Sequence, residues 1–122
     1  MKKELKTIVD LETATAQEVF DLVAGHLLWQ NAKSENADAC LYRGPNGLKC
    51  AAGFLLNDDV DFSLIENRAW EDAIVLLELS NRHENLISTL QMIHDQEDLK
   101  DWKERLSELA KDFKLNSEIL EK

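Results

Sequence analysis

The chain has 122 residues, 44% of them apolar and 31% charged, which is enough for one hydrophobic core and too little for two. Fourteen basic against 24 acidic residues leave a formal charge of -10, an acidity that repels nucleic-acid phosphates and anionic membrane surfaces, so neither is an expected partner. The same charge attracts basic proteins.

No apolar run approaches membrane-spanning length; the longest, Cys50 to Leu56, has seven residues. Met1 to Lys6 carries charge with no apolar stretch behind it, so a secretory leader is not expected and the cytoplasm is the expected location. In that reducing compartment Cys40 and Cys50 are expected as free thiols or ligands before a disulfide.

In chain order, residues 1–13 read as an extended lead-in or short edge strand, because Lys6 to Leu11 alternates only briefly. Thr15 with Glu18 three residues on matches a capping box, so a helix starts there and runs to about Gln30, with Ala16, Val19, Phe20, Val23, Leu27 and Trp29 on its apolar face. Trp29, Trp70 and Trp102 are expected as core or half-buried anchors. Gly25 inside it points to close approach by another element. After a polar loop, Pro45, Asn46 and Gly47 have the chemistry of a tight turn, which predicts a small β-hairpin over 39–52. Its register sets Gly44 opposite Leu48, Tyr42 opposite Cys50 and Cys40 opposite Ala52, placing Cys40, Tyr42 and Cys50 on one face. Apolar spacing then predicts helices over about 64–79 and 83–96, and a fourth after Asp98 bearing Leu99, Trp102, Leu106, Leu109 and Phe113. Residues 116–122 fray or add a final turn. The expected architecture is therefore mainly α, with about four helices and one small hairpin in a single domain over 1–122.

The string Cys40-Leu41-Tyr42-Arg43-Gly44-Pro45-Asn46-Gly47-Leu48-Lys49-Cys50-Ala51-Ala52-Gly53, with Leu90-Gln91-Met92-Ile93-His94-Asp95 and the spaced Trp102, Leu106 and Leu109, resembles a family of small uncharacterised proteins from bacteria and their phages. The resemblance spans about residues 14 to 115 and implies a bacterial or phage context, with no assigned activity. The chain differs from that family's pattern at Phe54, where another cysteine is frequent, and at Glu66-Asn67, where Glu-Gly is frequent.

Two thiols and two imidazoles, Cys40, Cys50, His26 and His94, make the sharpest candidate site, since they are the donor types of a tetrahedral zinc centre. Nine residues separate the cysteines where a zinc knuckle has two to four, so thiols packed as small apolar groups are the preferred reading. A thiol hydrolase would set Cys40 or Cys50 beside His94 as base, with Asp95 or Asp101 orienting the ring. Tyr42, Arg43 and Lys49 around the turn are the candidate ligand-binding residues, for an anion or nucleotide held by stacking and a guanidinium. Asn57, Asp59, Asp61 and Glu66 are oxygen donors, but the loop lacks the glycine and terminal glutamate spacing of a calcium loop.

With no complete catalytic set, the leading expectation is a non-enzymatic interaction protein, of the inhibitor, immunity or phage-borne host-modulating kind, that binds a basic protein. A metal- or small-ligand-binding module at Cys40 and Cys50 is the alternative, with zinc as the cofactor it would take; a small thiol hydrolase is the second.

Overall fold

The structure, a computed structural model, describes residues 6–36 and 39–121. The first five residues of the expected lead-in lie outside the described residues. Beyond them, Thr7 forms an isolated antiparallel bridge with Leu56 and the Ile8 amide donates to the Leu55 carbonyl at 2.8 Å, but the chain then turns, with the Thr13 and Ala14 amides both donating to the Asp10 carbonyl.

Helix α1 spans Ala16–Gln30. Its capping box forms as the sequence predicts, with the Thr15 hydroxyl accepting from the Glu18 amide at 3.1 Å and the Glu18 carboxylate accepting from the Thr15 amide at 3.0 Å. Val19, Phe20, Val23, Ala24 and Leu27 turn inward and are fully covered. Ile119 lies over Gly25, where a Cβ would sit 3.5 Å away, an ordinary contact, so the expected close approach is looser than glycine requires.

The 39–52 hairpin does not form as two strands. Its tip keeps the expected register: Arg43 and Lys49 form one antiparallel bridge, and the Gly44 amide donates to the Leu48 carbonyl at 2.8 Å. Pro45–Gly47 is a single 3₁₀ turn, with Asn46 and Gly47 both left-handed at φ 59 and 78. Past Cys50 the chain coils into a short helix, α2, over Ala51–Phe54, so Cys40 never meets Ala52 and bridges Glu35 instead. The physical reason lies in side chains that take the place of a strand partner. Glu66 accepts the Tyr42 amide at 2.8 Å and the Arg43 amide at 3.2 Å, and Gln30 both accepts the Lys49 amide and donates to its carbonyl, each at 2.9 Å. Backbone groups satisfied in this way need no ladder.

Helix α3, Trp70–Leu76, is shorter than the expected 64–79. Asn67 is left-handed at φ 67, which no helix accommodates, and Glu78 at φ 57 closes the other end. Helix α4 covers Glu84–Gln96 and α5 covers Trp102–Asp112, the latter entered through a 3₁₀ turn at Leu99–Asp101. Helix α4 is central, packed against α1, α2, α3 and α5, with Leu86, Ile87, Leu90 and Ile93 in the core. The final segment adds a 3₁₀ turn at Glu118–Glu121 and buries Leu120. The main class is thus α, as expected. Among the described residues no helix is long and apolar enough to cross a membrane.

Candidate functional site

The polar side chains singled out in the sequence gather around the turn segment and α4, in two separate groups. Cys40, His94 and Asp95 converge, with one ligand-type atom from each within 4.8 Å of the others. Cys50 and His26 do not join them, which corrects the four-residue zinc set. Cys50 is the N-cap of α2, its sulfur accepting the Gly53 amide at 3.2 Å, a place usually taken by serine or aspartate. His26 stacks on Phe54 with ring centroids 4.2 Å apart, and its Nε2 donates to the Lys49 carbonyl at 3.1 Å. Burial holds the His26 ring below the ordinary imidazole range, and that carbonyl bond opposes the shift only in part. Both cysteines are free thiols.

His94 is fully buried, and its two nitrogens have different duties. The Ser34 amide donates to Nε2 at 2.9 Å, so the ring proton sits on Nδ1, which donates to Asp95 Oδ1 at 2.7 Å. Gln91 donates to the same carboxylate oxygen at 2.8 Å, while its own carbonyl accepts the Ala52 amide at 2.9 Å. The Cys40 sulfur lies beside this pair, within 4.8 Å of the nearest His94 and Asp95 ligand atoms. Burial pushes the Asp95 carboxyl up, but the bonds from His94 and Gln91 outweigh it and hold it below the ordinary carboxylate range.

This arrangement decides the chemistry. A thiol nucleophile needs imidazole between sulfur and carboxylate, so that the ring takes the proton. Here both ring nitrogens are already engaged, Nε2 accepting from the Ser34 amide and Nδ1 donating to Asp95, so neither is free to take a thiol proton. Asp95 also opposes the thiolate instead of promoting it: burial first, then Asp95, pushes the Cys40 thiol up to about 11. Metal ligation fits no better. An ion among these three residues would take the Nδ1 lone pair and drive the proton to Nε2, against the Ser34 amide, leaving a buried backbone donor unpaired.

The residues expected around the turn are employed within the fold. Tyr42 is 5% exposed, and its hydroxyl donates to the Arg68 carbonyl at 2.8 Å. Arg43 lies over the Phe62 ring, 4.4 Å from its centroid, donates to the Leu56 carbonyl at 2.7 Å and pairs with Asp58 at 3.1 Å. Lys49 reaches the same Asp58 carboxylate at 3.8 Å. Asp58 therefore holds the position at which an anion was expected. Sequence reasoning missed Gln30, Gln91 and Ser34, and it weighed Glu66 as an oxygen ligand where it is a clasp for backbone amides. The i,i+4 pair Gln91 and Asp95 on α4 was the one available signal.

Beside Cys40 and Asp95 a groove of about 650 Å³ opens between residues 39–42, the 67–71 segment and α4, within the ~300–1,000 Å³ typical of ligand pockets. Trp70 and Tyr42 line it, with Met92 and Gln91 on the α4 side.

The buried thiols also set an alkaline limit. Burial pushes Cys50 up to about 12, alongside about 11 for Cys40. The folded protein therefore keeps two protons that the unfolded chain releases from about pH 8.5 upward. Stability is full below that pH and falls as pH rises toward 11 and 12, with Tyr42, also raised by burial, adding the same sign. The urea midpoint should fall between pH 7 and 10; a level profile would show that the thiols ionise in the native state.

Comparison with protein-family models, with curated proteins and with solved structures finds no match to this chain.

Proposed function

We propose that the protein is a small, acidic, non-enzymatic binder of a basic protein, of the inhibitor, immunity or phage-borne host-modulating kind, working in the cytoplasm. The observation that carries this reading is the net charge of -10, displayed on outer faces that include Glu71, Glu78, Glu104, Glu108, Asp112 and Glu118. The interior groups that could have served catalysis support it, because both His94 nitrogens are already hydrogen-bonded and neither is free to act as a base for the Cys40 thiol. Free thiols at Cys40 and Cys50 suit a reducing compartment. Trp29, expected in the core or half-buried, is instead 83% exposed at the end of α1, and tryptophan is enriched among the anchors of protein interfaces.

Salt dependence tests the reading. Immobilised protein should retain a basic protein from extracts of the source cells at about 50 mM salt and release it by about 0.5 M, since the screening length shrinks from ~10 Å at 0.1 M to ~3 Å at 1 M. Retention that is unchanged at high salt, or retention of acidic proteins only, would overturn electrostatic recognition.

A further inference from the structure

We infer, on the basis of that reading, that the groove between residues 39–42, the 67–71 segment and α4 is where the basic partner inserts an extended, arginine-bearing segment.

Three carboxylates line the groove, Glu71 at the start of α3, Glu84 at the start of α4 and Asp95 near its end, against a single cation among its lining residues, Arg68. Asp95 is the one held in place by its neighbours. Its side chain is one-third exposed, and its held position, with His94 and Gln91 both donating to Oδ1, makes it a preorganised acceptor for a guanidinium. Glu71, exposed, and Glu84, half-buried, add further negative charge to the groove wall. The positive ends of helices favour anions, but Glu84 in the first turn of α4 already answers that end.

A second, independent observation comes from Trp70. This residue lines the groove, is 2% exposed, and its indole N–H is buried with no hydrogen-bond partner among the described residues. A buried donor in that condition is costly, and because the nitrogen is covered, the groove wall must shift slightly for a peptide carbonyl to supply the missing acceptor. Asn67, Asn85 and Gln96 on the walls offer amides that both donate and accept, the requirement for pairing with extended backbone. Met92, 53% exposed, provides a flexible apolar surface for the methylene stem of an arginine. Carboxylates for the guanidinium, amides for the backbone and a thioether for the stem together describe a cationic peptide rather than an anion or an apolar ligand.

The test is nuclear magnetic resonance of the three tryptophan indole N–H groups, with the Trp70 signal assigned from Trp70→Phe and a capped Ala-Arg-Ala peptide as probe. The Trp70 signal should move saturably, with a dissociation constant on the order of 1 mM or tighter, while capped Ala-Glu-Ala leaves it in place. Glu71→Gln with Glu84→Gln should weaken binding roughly three- to tenfold, as expected for loss of two charge contacts at a solvent-facing groove. Glu104→Gln with Glu118→Gln, the same charge change away from the groove, should weaken it less than about twofold. Equal weakening by both double variants, or movement of Trp29 with Trp70 still, overturns the groove and leaves the basic-partner reading standing. No movement of any indole signal also overturns the groove, and salt-dependent capture then decides the broader reading by itself.

Discussion

His94→Ala should cost about 3–5 kcal/mol, a large share of the ~5–15 kcal/mol that holds a domain together. Two losses add. Truncating a fully buried ring leaves a cavity beside Trp102, whose ring centroid lies 5.6 Å away, and large-to-small changes of this kind cost about 2–5 kcal/mol. The Ser34 amide, at 0% exposure, also loses its acceptor, and a buried orphan donor costs about 1–3 kcal/mol. Partial relaxation keeps the sum below the two maxima. His94→Gln should recover part of the loss, because its side-chain oxygen can accept from Ser34 while its amide donates to Asp95. Urea denaturation followed by Trp102 fluorescence measures both variants. A cost below about 1 kcal/mol for His94→Ala would mean that the ring does not tie the Ser34 loop to α4.

That network shows where sequence reading succeeds and where it stops. Features governed by local rules were legible: the Thr15 capping box, the left-handed Gly47, the tip register through Arg43 and Lys49, and the apolar stripes of α1, α4 and α5. Each depends on neighbours a few residues away. The second half of the hairpin was not legible, because its alternation is equally compatible with a helix turn once side chains from elsewhere satisfy the backbone. Gln30 and Lys49 are 19 positions apart, Glu66 and Tyr42 24, and Gln91 and Ala52 39, separations that no periodicity encodes. The candidate site suffered the same limit. Cys40 and His94 do come together, but only geometry shows that both His94 nitrogens are already engaged, by Ser34 and Asp95. Cys50 is buried as a free thiol, in line with the preferred reading; its part as the cap of α2 was not legible, because cysteine is an uncommon helix cap.

Gly53→Ala should be as damaging as the histidine change, by about 3–5 kcal/mol, although it adds a single methyl group. Gly53 lies within α2, outside the positive-φ region, so its backbone suits any residue and its role is space alone. A Cβ there would sit 2.2 Å from the Tyr42 carbonyl oxygen and 2.9 Å from its carbon. Both are backbone atoms, so no side-chain rotation relieves the overlap; the 40–43 segment must move. Movement of about 1 Å would break the Cys50 amide's bond to that same carbonyl and loosen the two amides that Glu66 holds, each net bond worth about 1 kcal/mol. Gly47→Ala is the matching control. It has the same chemistry and a left-handed φ of 78, with nothing within 4 Å of the added Cβ, so it should cost only the strain of about 1–2 kcal/mol. If Gly53→Ala proves no worse than Gly47→Ala, the close crossing of α2 over Tyr42 does not hold in solution. If it is worse by at least about 2 kcal/mol, the close crossing of α2 over Tyr42 holds in solution and braces the Cys40 and Tyr42 wall of the groove.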